Sequence, residues 1–133
     1  MGGHDYRVGV GATTTFGRVL LSARDQHLVV DGPVKNGCQG EAVTPAELFL
    51  GGVASCAVEL IQVIARERGL VLTTVDAEIG GTVDRSASAL FPAQGAARAP
   101  ADVTLFSAVA LRIVLGGVGD EEAAALVAAF KAR

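Results

Sequence analysis

Apolar residues in the first part of the chain come in short runs rich in Val, Leu and Thr. The runs are separated by Gly17 and by Asp25-Gln26, and they cover residues 6–13, 18–25 and 27–31. Short runs of this composition, bounded by turn residues, predict an antiparallel β-meander. The following segment, Pro33 to Val43, has no periodicity and is rich in turn-forming residues, so it is expected to be a loop, with Cys38 inside it.

The strongest pattern in the chain is a long helix from Thr44 to Arg68. Thr44 is a favourable N-cap, Pro45 suits the first helical position, and Glu47 completes a capping box with Thr44. Gly69 is a typical C-terminal stop. These local signals predict both ends of the helix.

The pattern of apolar residues in the second half of the chain predicts two more strands and a second helix. The strand-like runs are Thr73 to Val83 and Val103 to Leu115, and an Ala-, Gly- and Pro-rich stretch, Asp84 to Asp102, is expected to form a hairpin excursion between them. A helix begins near Gly119 and runs to the end. The order predicts an α+β fold, with antiparallel sheets packed on helices, in a single domain over residues 1–133.

The long helix is apolar over most of its circumference. At about 100° per residue, its polar side chains form one narrow stripe, which consists of Ser55, Glu59, Gln62 and Arg66. Cys56 lies where the apolar wall meets this stripe. Such a helix is typical of a protein centre, and one short chain offers few elements to cover it, so we expect a homodimer.

Composition and charge exclude several classes of protein. The chain has 133 residues, a formal net charge of −3 and no basic run, which gives no support for nucleic-acid binding. No uninterrupted apolar run reaches the roughly 18 to 20 residues of a membrane span, and the N-terminus lacks the pattern of a secretory signal. We therefore expect a cytoplasmic protein whose two cysteines are redox-active or merely buried.

Two interpretations of Cys56 remain open from the residues alone. It is either an inert buried filler or a reactive thiolate that a nearby cation stabilises. The helix dipole fades within the first turn and cannot supply that charge. The candidate cations are Arg7, Arg18 and Arg24, on the first strands.

The segment Thr-Pro-Ala-Glu-Leu-Phe-Leu-Gly-Gly-Val-Ala-Ser-Cys, residues 44–56, resembles the signature of the OsmC/Ohr family, the osmotically induced and organic-hydroperoxide-resistance proteins. The turn at 31–33, the exit at 66–70 and the Leu-Gly-Gly-Val at 115–118 are also similar to the family. The resemblance covers nearly the whole chain.

The resemblance implies an OsmC-like intertwined homodimer, with two sheets around central helices and the active sites at the subunit interface. It implies a thiol peroxidase that acts on organic hydroperoxides or hydrogen peroxide without metal or flavin, and that a small dithiol or a thiol-protein reductant restores. Cys56 would attack the peroxide. Arg18 would stabilise its thiolate.

Three features depart from the family pattern. The family's carboxylate that pairs with the arginine falls at Ala46 here, and Glu47, one residue late, is better explained by its capping-box role. Glu59, one turn after Cys56, either replaces the missing carboxylate or is a solvated or dimer-facing charge. The family's resolving cysteine lies near the C-terminus, and the given sequence ends without one. Cys38 is an additional cysteine, either a substitute resolving thiol or an incidental loop residue.

These departures keep three functions open. The first is the peroxidase. The second is a catalytically degenerate member that binds a small apolar or acyl ligand in the same interface pocket. The third is a structural dimer without chemistry.

Overall fold

The computed structural model describes residues 3–83 and 106–133. The predicted excursion at 84–102 lies outside the described residues. The chain divides into two compact units, Met1–Gly51 and Gly52–Arg133. That residues 1–133 act as a single domain stays a prediction.

The first unit contains the predicted meander. Strands β1 (Gly9–Ala12), β2 (Arg18–Ala23) and β3 (Gln26–Asp31) form an antiparallel sheet in that order. The turn between β2 and β3 lies at Arg24 and Asp25, one residue earlier than predicted, and Arg24 has a left-handed φ of 56°. This shift changes which residues of the two strands face each other.

The loop after β3 is tied to the sheet at both of its ends. It contains one 3₁₀ turn, Val34–Asn36. The Asp31 N–H donates to the Val43 carbonyl at 2.9 Å, and the Gly32 N–H donates to the Gly17 carbonyl at 3.1 Å. The loop therefore leaves and returns beside the end of β3, close to the start of β2.

Helix α1 (Pro45–Glu67) has the predicted ends. The Thr44 N–H donates to the Glu47 Oε1 at 2.9 Å, and the Glu47 N–H donates to the Thr44 Oγ1 at 3.2 Å, which is the reciprocal capping box. Gly69 adopts φ 69°, and the Leu70 N–H donates to the Ala65 carbonyl at 2.9 Å. This is the Schellman ending, which requires a left-handed residue.

The second unit pairs β4 (Thr74–Val83) antiparallel with β5 (Phe106–Gly116), and α2 (Asp120–Lys131) follows. Its core contains residues from both helices, from β5 and from the segment that precedes β4. These residues are Ile64, Ala65 and Leu126, with Leu70, Leu72, Leu115, Ala129 and Phe130 packed against them. The antiparallel sheets and helices of the described residues confirm the predicted α+β class.

Much of α1 is uncovered in a single chain. Its buried residues are Ala57, Ile61, Ile64 and Ala65, whereas Phe49 is 61% exposed and Val53 is 43% exposed. By length and composition alone α1 could cross a membrane, although core helices of soluble proteins also meet these criteria. The sequence contains no uninterrupted apolar run of this length, because polar residues interrupt α1, and its apolar character therefore shows only in the mean hydropathy.

Candidate active site

Three charged residues meet in the first unit, and we call them the Arg18 cluster. Arg18, at the start of β2, faces Asp31, at the end of β3, as a direct cross-strand pair. The Arg18 Nη2 lies 3.0 Å from the Asp31 Oδ2 and 3.3 Å from the Glu41 Oε2. The Glu41 N–H also donates to the Asp31 Oδ2, at 3.0 Å. The cluster thus joins two strands and the loop that follows them.

Burial differs sharply within the Arg18 cluster. The side chain of Asp31 is fully buried, that of Arg18 is 24% exposed, and that of Glu41 is 67% exposed. The hydrogen bond from the Glu41 N–H, followed by the one from Arg18, lowers the pKa of Asp31. The hydrogen bond to Asp31 raises the pKa of Arg18. Asp31 is therefore a buried carboxylate that stays ionised next to a half-buried cation.

The contact between Arg18 and Asp31 is monodentate. Both carboxylates meet the Nη2 atom of the guanidinium. Among the described residues, Arg18 Nε and Asp31 Oδ1 are buried and have no hydrogen-bond partner. A guanidinium has five N–H donors, so holding it through one nitrogen fixes its position without using its whole binding capacity.

Cys38 lies against the backbone beside this cluster. A Cβ atom added to Gly17 or to Gly32 would overlap the Cys38 Sγ. Gly17 precedes Arg18 in sequence and Gly32 follows Asp31, so the half-buried thiol packs on the neighbours of both ion-pair partners. Cys38 is therefore a packed loop residue in this structure.

Cys56 is exposed on α1, within the second unit. Glu59, three residues later, is also exposed and lies on the same side of the helix. An open cavity of about 330 Å³ adjoins this polar stripe, and its lining consists of Ala54, Ser55, Val58, Glu59, Gln62 and Ala77. No described residue of the second unit buries Cys56, and a partly shielded thiol stays a prediction.

The other candidates for charge have different surroundings. Arg7 precedes β1 and Arg24 lies in the turn after β2, and both are exposed. Glu47 is engaged in the capping box, and its hydrogen bonds with Thr44 lower the pKa of the Glu47 carboxyl. Ala46 is exposed and provides no carboxylate. Arg18 is thus the predicted cation that the structure places in a charge cluster, and the pairing of Glu59 stays a prediction.

Sequence reasoning missed Asp31 and Glu41. The missing signal was the strand register: a turn at Arg24 and Asp25 pairs position 18 with position 31, whereas the turn predicted one residue later does not. Oppositely charged residues directly across two strands are a recognisable stabilising pair. Within residues 3–83 and 106–133, no group of three or more His, Cys, Asp or Glu side chains could hold a metal ion.

Comparison with known proteins gives a consistent picture. The family model described as OsmC-like protein matches residues 38–133. An OsmC-like protein of Mycoplasma pneumoniae has a similar structure, with a TM-score of 0.75 at 11% identity, over 98% of this chain and 82% of that one. No curated protein matches the chain.

Two further solved structures share the fold. An organic hydroperoxide resistance protein OsmC of Legionella pneumophila has a TM-score of 0.66 at 22% identity, over 96% of this chain and 82% of that one. The organic hydroperoxide resistance protein OhrB of Bacillus subtilis has a TM-score of 0.60 at 16% identity, over 96% and 83%. Because the family model matches residues 38–133, which are most of the chain, and the fold is shared, this chain belongs to the OsmC-like protein family.

Proposed function

We propose that the chain is a thiol-dependent peroxidase that reduces organic hydroperoxides or hydrogen peroxide with Cys56. The observation that carries the proposal is an exposed thiol in the middle of α1, inside the segment that the family model matches. An accessible thiol meets the first requirement of a peroxidatic residue. Structural neighbours named as organic hydroperoxide resistance proteins add support.

The reaction follows from thiol chemistry. The Cys56 thiolate attacks one peroxide oxygen and the O–O bond breaks. The departing alkoxide takes up a proton and leaves as an alcohol; from hydrogen peroxide, hydroxide takes up the proton and leaves as water. Cys56 is then a sulfenic acid. Cys38 condenses with it, which forms a disulfide and releases water. A small dithiol or a thiol-protein reductant then reduces the disulfide and regenerates both thiols.

Arg18 supplies the positive charge in this proposal. A guanidinium stays protonated at every physiological pH, and it stabilises a nearby thiolate and the alkoxide that forms as the O–O bond breaks. Its anchoring by Asp31 at 3.0 Å and its remaining exposure suit a cation that must be both fixed and reachable. Glu59, one turn from Cys56, is the further carboxylate of the proposed site.

The working form is a cytoplasmic homodimer in this proposal. The exposed apolar residues of α1, Phe49 and Val53 among them, need a cover that a second copy would provide. That cover would also shield Cys56. A molar-mass measurement in solution tests this part: a monomer at working concentration contradicts it.

The decisive test is peroxide consumption. Reduced protein, cumene hydroperoxide and a dithiol are mixed, and the wild type is compared with Cys56→Ser. We expect the Cys56→Ser rate to fall to the rate of the dithiol alone, because the nucleophile is gone. The matched control, Cys38→Ser, keeps the first reaction with peroxide. Equal rates of peroxide consumption for wild type and Cys56→Ser would exclude the proposed peroxidase activity.

Equal rates would favour the second candidate, a ligand-binding protein without peroxidase activity. The observation in its favour is the open cavity of about 330 Å³ beside Ser55, Glu59 and Gln62. A small apolar or acyl ligand has this size. Calorimetric titration of wild type and of Gln62→Ala with a short fatty acid measures this binding directly.

A further inference from the structure

Asp31 holds Arg18 from the first position of the turn at 31–33, to which the family resemblance assigns no role in the reaction. Its carboxylate is fully buried, lies directly across the β2–β3 pair from Arg18, and contacts the guanidinium at 3.0 Å. The residue that would pair with the arginine by the family pattern is Ala46, and Glu47 is occupied by the capping box. Within the first unit, the arginine is therefore held from β3 and the loop, and the start of α1 contributes no carboxylate to this cluster.

We propose that Asp31 is the positioning residue that fixes Arg18 for the Cys56 reaction, and that Glu41 acts as a dispensable second carboxylate at the same nitrogen. The inference rests on the proposed function, in which Arg18 stabilises the thiolate. It adds two residues that neither the sequence pattern nor the family resemblance assigned.

The geometry distinguishes the roles of the two carboxylates. Asp31 is rigidly placed, because its Oδ2 accepts hydrogen bonds from both Arg18 and the Glu41 backbone, and its own N–H donates to Val43. The Glu41 side chain is 67% exposed and meets Arg18 at 3.3 Å. Exposed ion pairs contribute little to position or stability, whereas a buried partner cannot be removed without consequence.

A positioning role for Asp31 and a purely electrostatic role predict opposite changes in the stability of the Cys56 thiolate when Asp31 is replaced by Asn. Asp31→Asn and Glu41→Gln each remove one negative charge near Arg18, so electrostatics alone would make the Cys56 thiolate more stable in both variants. Loss of position has the reverse effect in Asp31→Asn, because the proposed function requires a fixed guanidinium and a displaced one stabilises the thiolate less. A misplacement of about 1 Å in a catalytic site can cost on the order of 100-fold in rate.

The experiment uses a Cys38→Ser background, in which Cys56 is the only thiol of the chain. The pH dependence of Cys56 alkylation by iodoacetamide reports the thiolate fraction, and stopped-flow mixing with cumene hydroperoxide reports the peroxide reaction. We expect Asp31→Asn to reduce the thiolate fraction at neutral pH and to slow the peroxide reaction about tenfold or more. Glu41→Gln should change either quantity by less than about threefold.

The matched control is Glu67→Gln, which removes the exposed 3.1 Å ion pair with Arg133 in the second unit and should change neither quantity. If Asp31→Asn does not fold, Asp31→Glu keeps the charge and moves the carboxylate by one methylene, and a slowed reaction with an intact circular-dichroism spectrum is expected. A thiolate fraction that is unchanged or higher in the folded Asp31 variant overturns the inference. An inactive wild type would instead overturn the proposed function, and the alkylation profile would still test the placement of Arg18.

Discussion

The two cysteines of this chain have opposite surroundings. Cys38 lies half-buried in the loop after β3, with its sulfur against the backbone of Gly17 and Gly32. Cys56 lies on a regular helix with its side chain exposed. In α1, Gly51 and Gly52 have nothing within 4 Å of where a Cβ would be. In the part of the chain that the structure describes, one thiol is thus half-buried and the other is exposed.

In the proposed function, this difference in exposure corresponds to two different roles for the thiols. A thiol that attacks peroxide must be reachable from outside, which Cys56 is. A thiol that resolves a sulfenic acid needs to react only after the first step, and enclosure protects it from oxidation until then. In this interpretation Cys38 must leave its contacts with Gly17 and Gly32 before it can form a disulfide. Substitutions of each thiol, and then of the residues around it, test this difference between Cys38 and Cys56.

The largest expected effect comes from removing the thiols one at a time. With one equivalent of cumene hydroperoxide, wild type should form an intramolecular disulfide between Cys38 and Cys56. Cys38→Ser should stop at a Cys56 sulfenic acid that dimedone traps, and Cys56→Ser should show no oxidation. Intact-mass spectrometry distinguishes the three products.

The outcomes separate the two proposals for the cysteines. If wild type accumulates the Cys56 sulfenic acid and no link to Cys38, then Cys38 is not the resolving thiol, although Cys56 remains peroxidatic. If Cys38→Ser shows no oxidation at Cys56, then the roles of the two residues are reversed or absent.

A smaller effect is expected from filling the space beside Cys38. Gly32→Ala places a methyl group where the Cys38 Sγ lies, so the free energy of unfolding should fall by about 1–3 kcal/mol. Cys38→Ala removes that sulfur and leaves its Cβ 3.1 Å from the new methyl group, so the double variant should recover most of the loss. Urea denaturation of the four proteins gives the coupling energy.

Gly80→Ala is the matched control for this cycle. Gly80 lies in β4 with nothing within 4 Å of the added methyl group, and neither Gly32 nor Gly80 has a positive φ. Its substitution should not couple to Cys38→Ala. Additive effects of Gly32→Ala and Cys38→Ala would mean that Cys38 is not enclosed as described.

The smallest effect concerns the start of the helix that carries Cys56. Thr44→Ala removes the N-cap oxygen that accepts from the Glu47 N–H, and it should cost about 1 kcal/mol of unfolding free energy. Because the capping box lowers the pKa of Glu47, its contribution is present above the ordinary pKa of a glutamate and is lost as the pH falls through the lowered pKa.

Urea denaturation at neutral and at acidic pH measures this contribution. The difference between wild type and Glu47→Gln, which removes the ionised carboxylate that accepts from the Thr44 N–H, should be largest near neutral pH and should shrink in acid. A difference that grows in acid contradicts the sign. The surroundings of Cys38, which do not involve this cap, should be unaffected, so the Gly32 cycle serves as the control.

Local signals predicted the parts of the molecule that depend on neighbouring residues. Thr44 and Glu47 are three residues apart and bond each other, and Gly69 ends α1 because only a left-handed residue closes it in this way. The strands and the second helix were also within a few residues of their observed ends. Short-range chemistry is readable because both partners lie in one window of sequence.

The candidate site depends on longer-range geometry and was only partly predictable. Arg18 was a candidate by resemblance, but its link to Asp31 requires the register of two strands, and a one-residue error in the turn changes the pairing. The contact of Cys38 with Gly17 likewise joins segments far apart in sequence. A helical wheel placed Cys56 at the edge of the polar stripe, yet it could not say what covers that edge.

The exposed apolar surface of α1 has a consequence for how the stability of the protein depends on its concentration. Only 22% of its most apolar 18-residue stretch is buried within one chain. If a second copy covers the rest, folding and association become one equilibrium, and dilution then weakens the native state by mass action. The melting temperature would then rise with protein concentration. A preparation that is folded in the millimolar range would be less stable in a dilute assay.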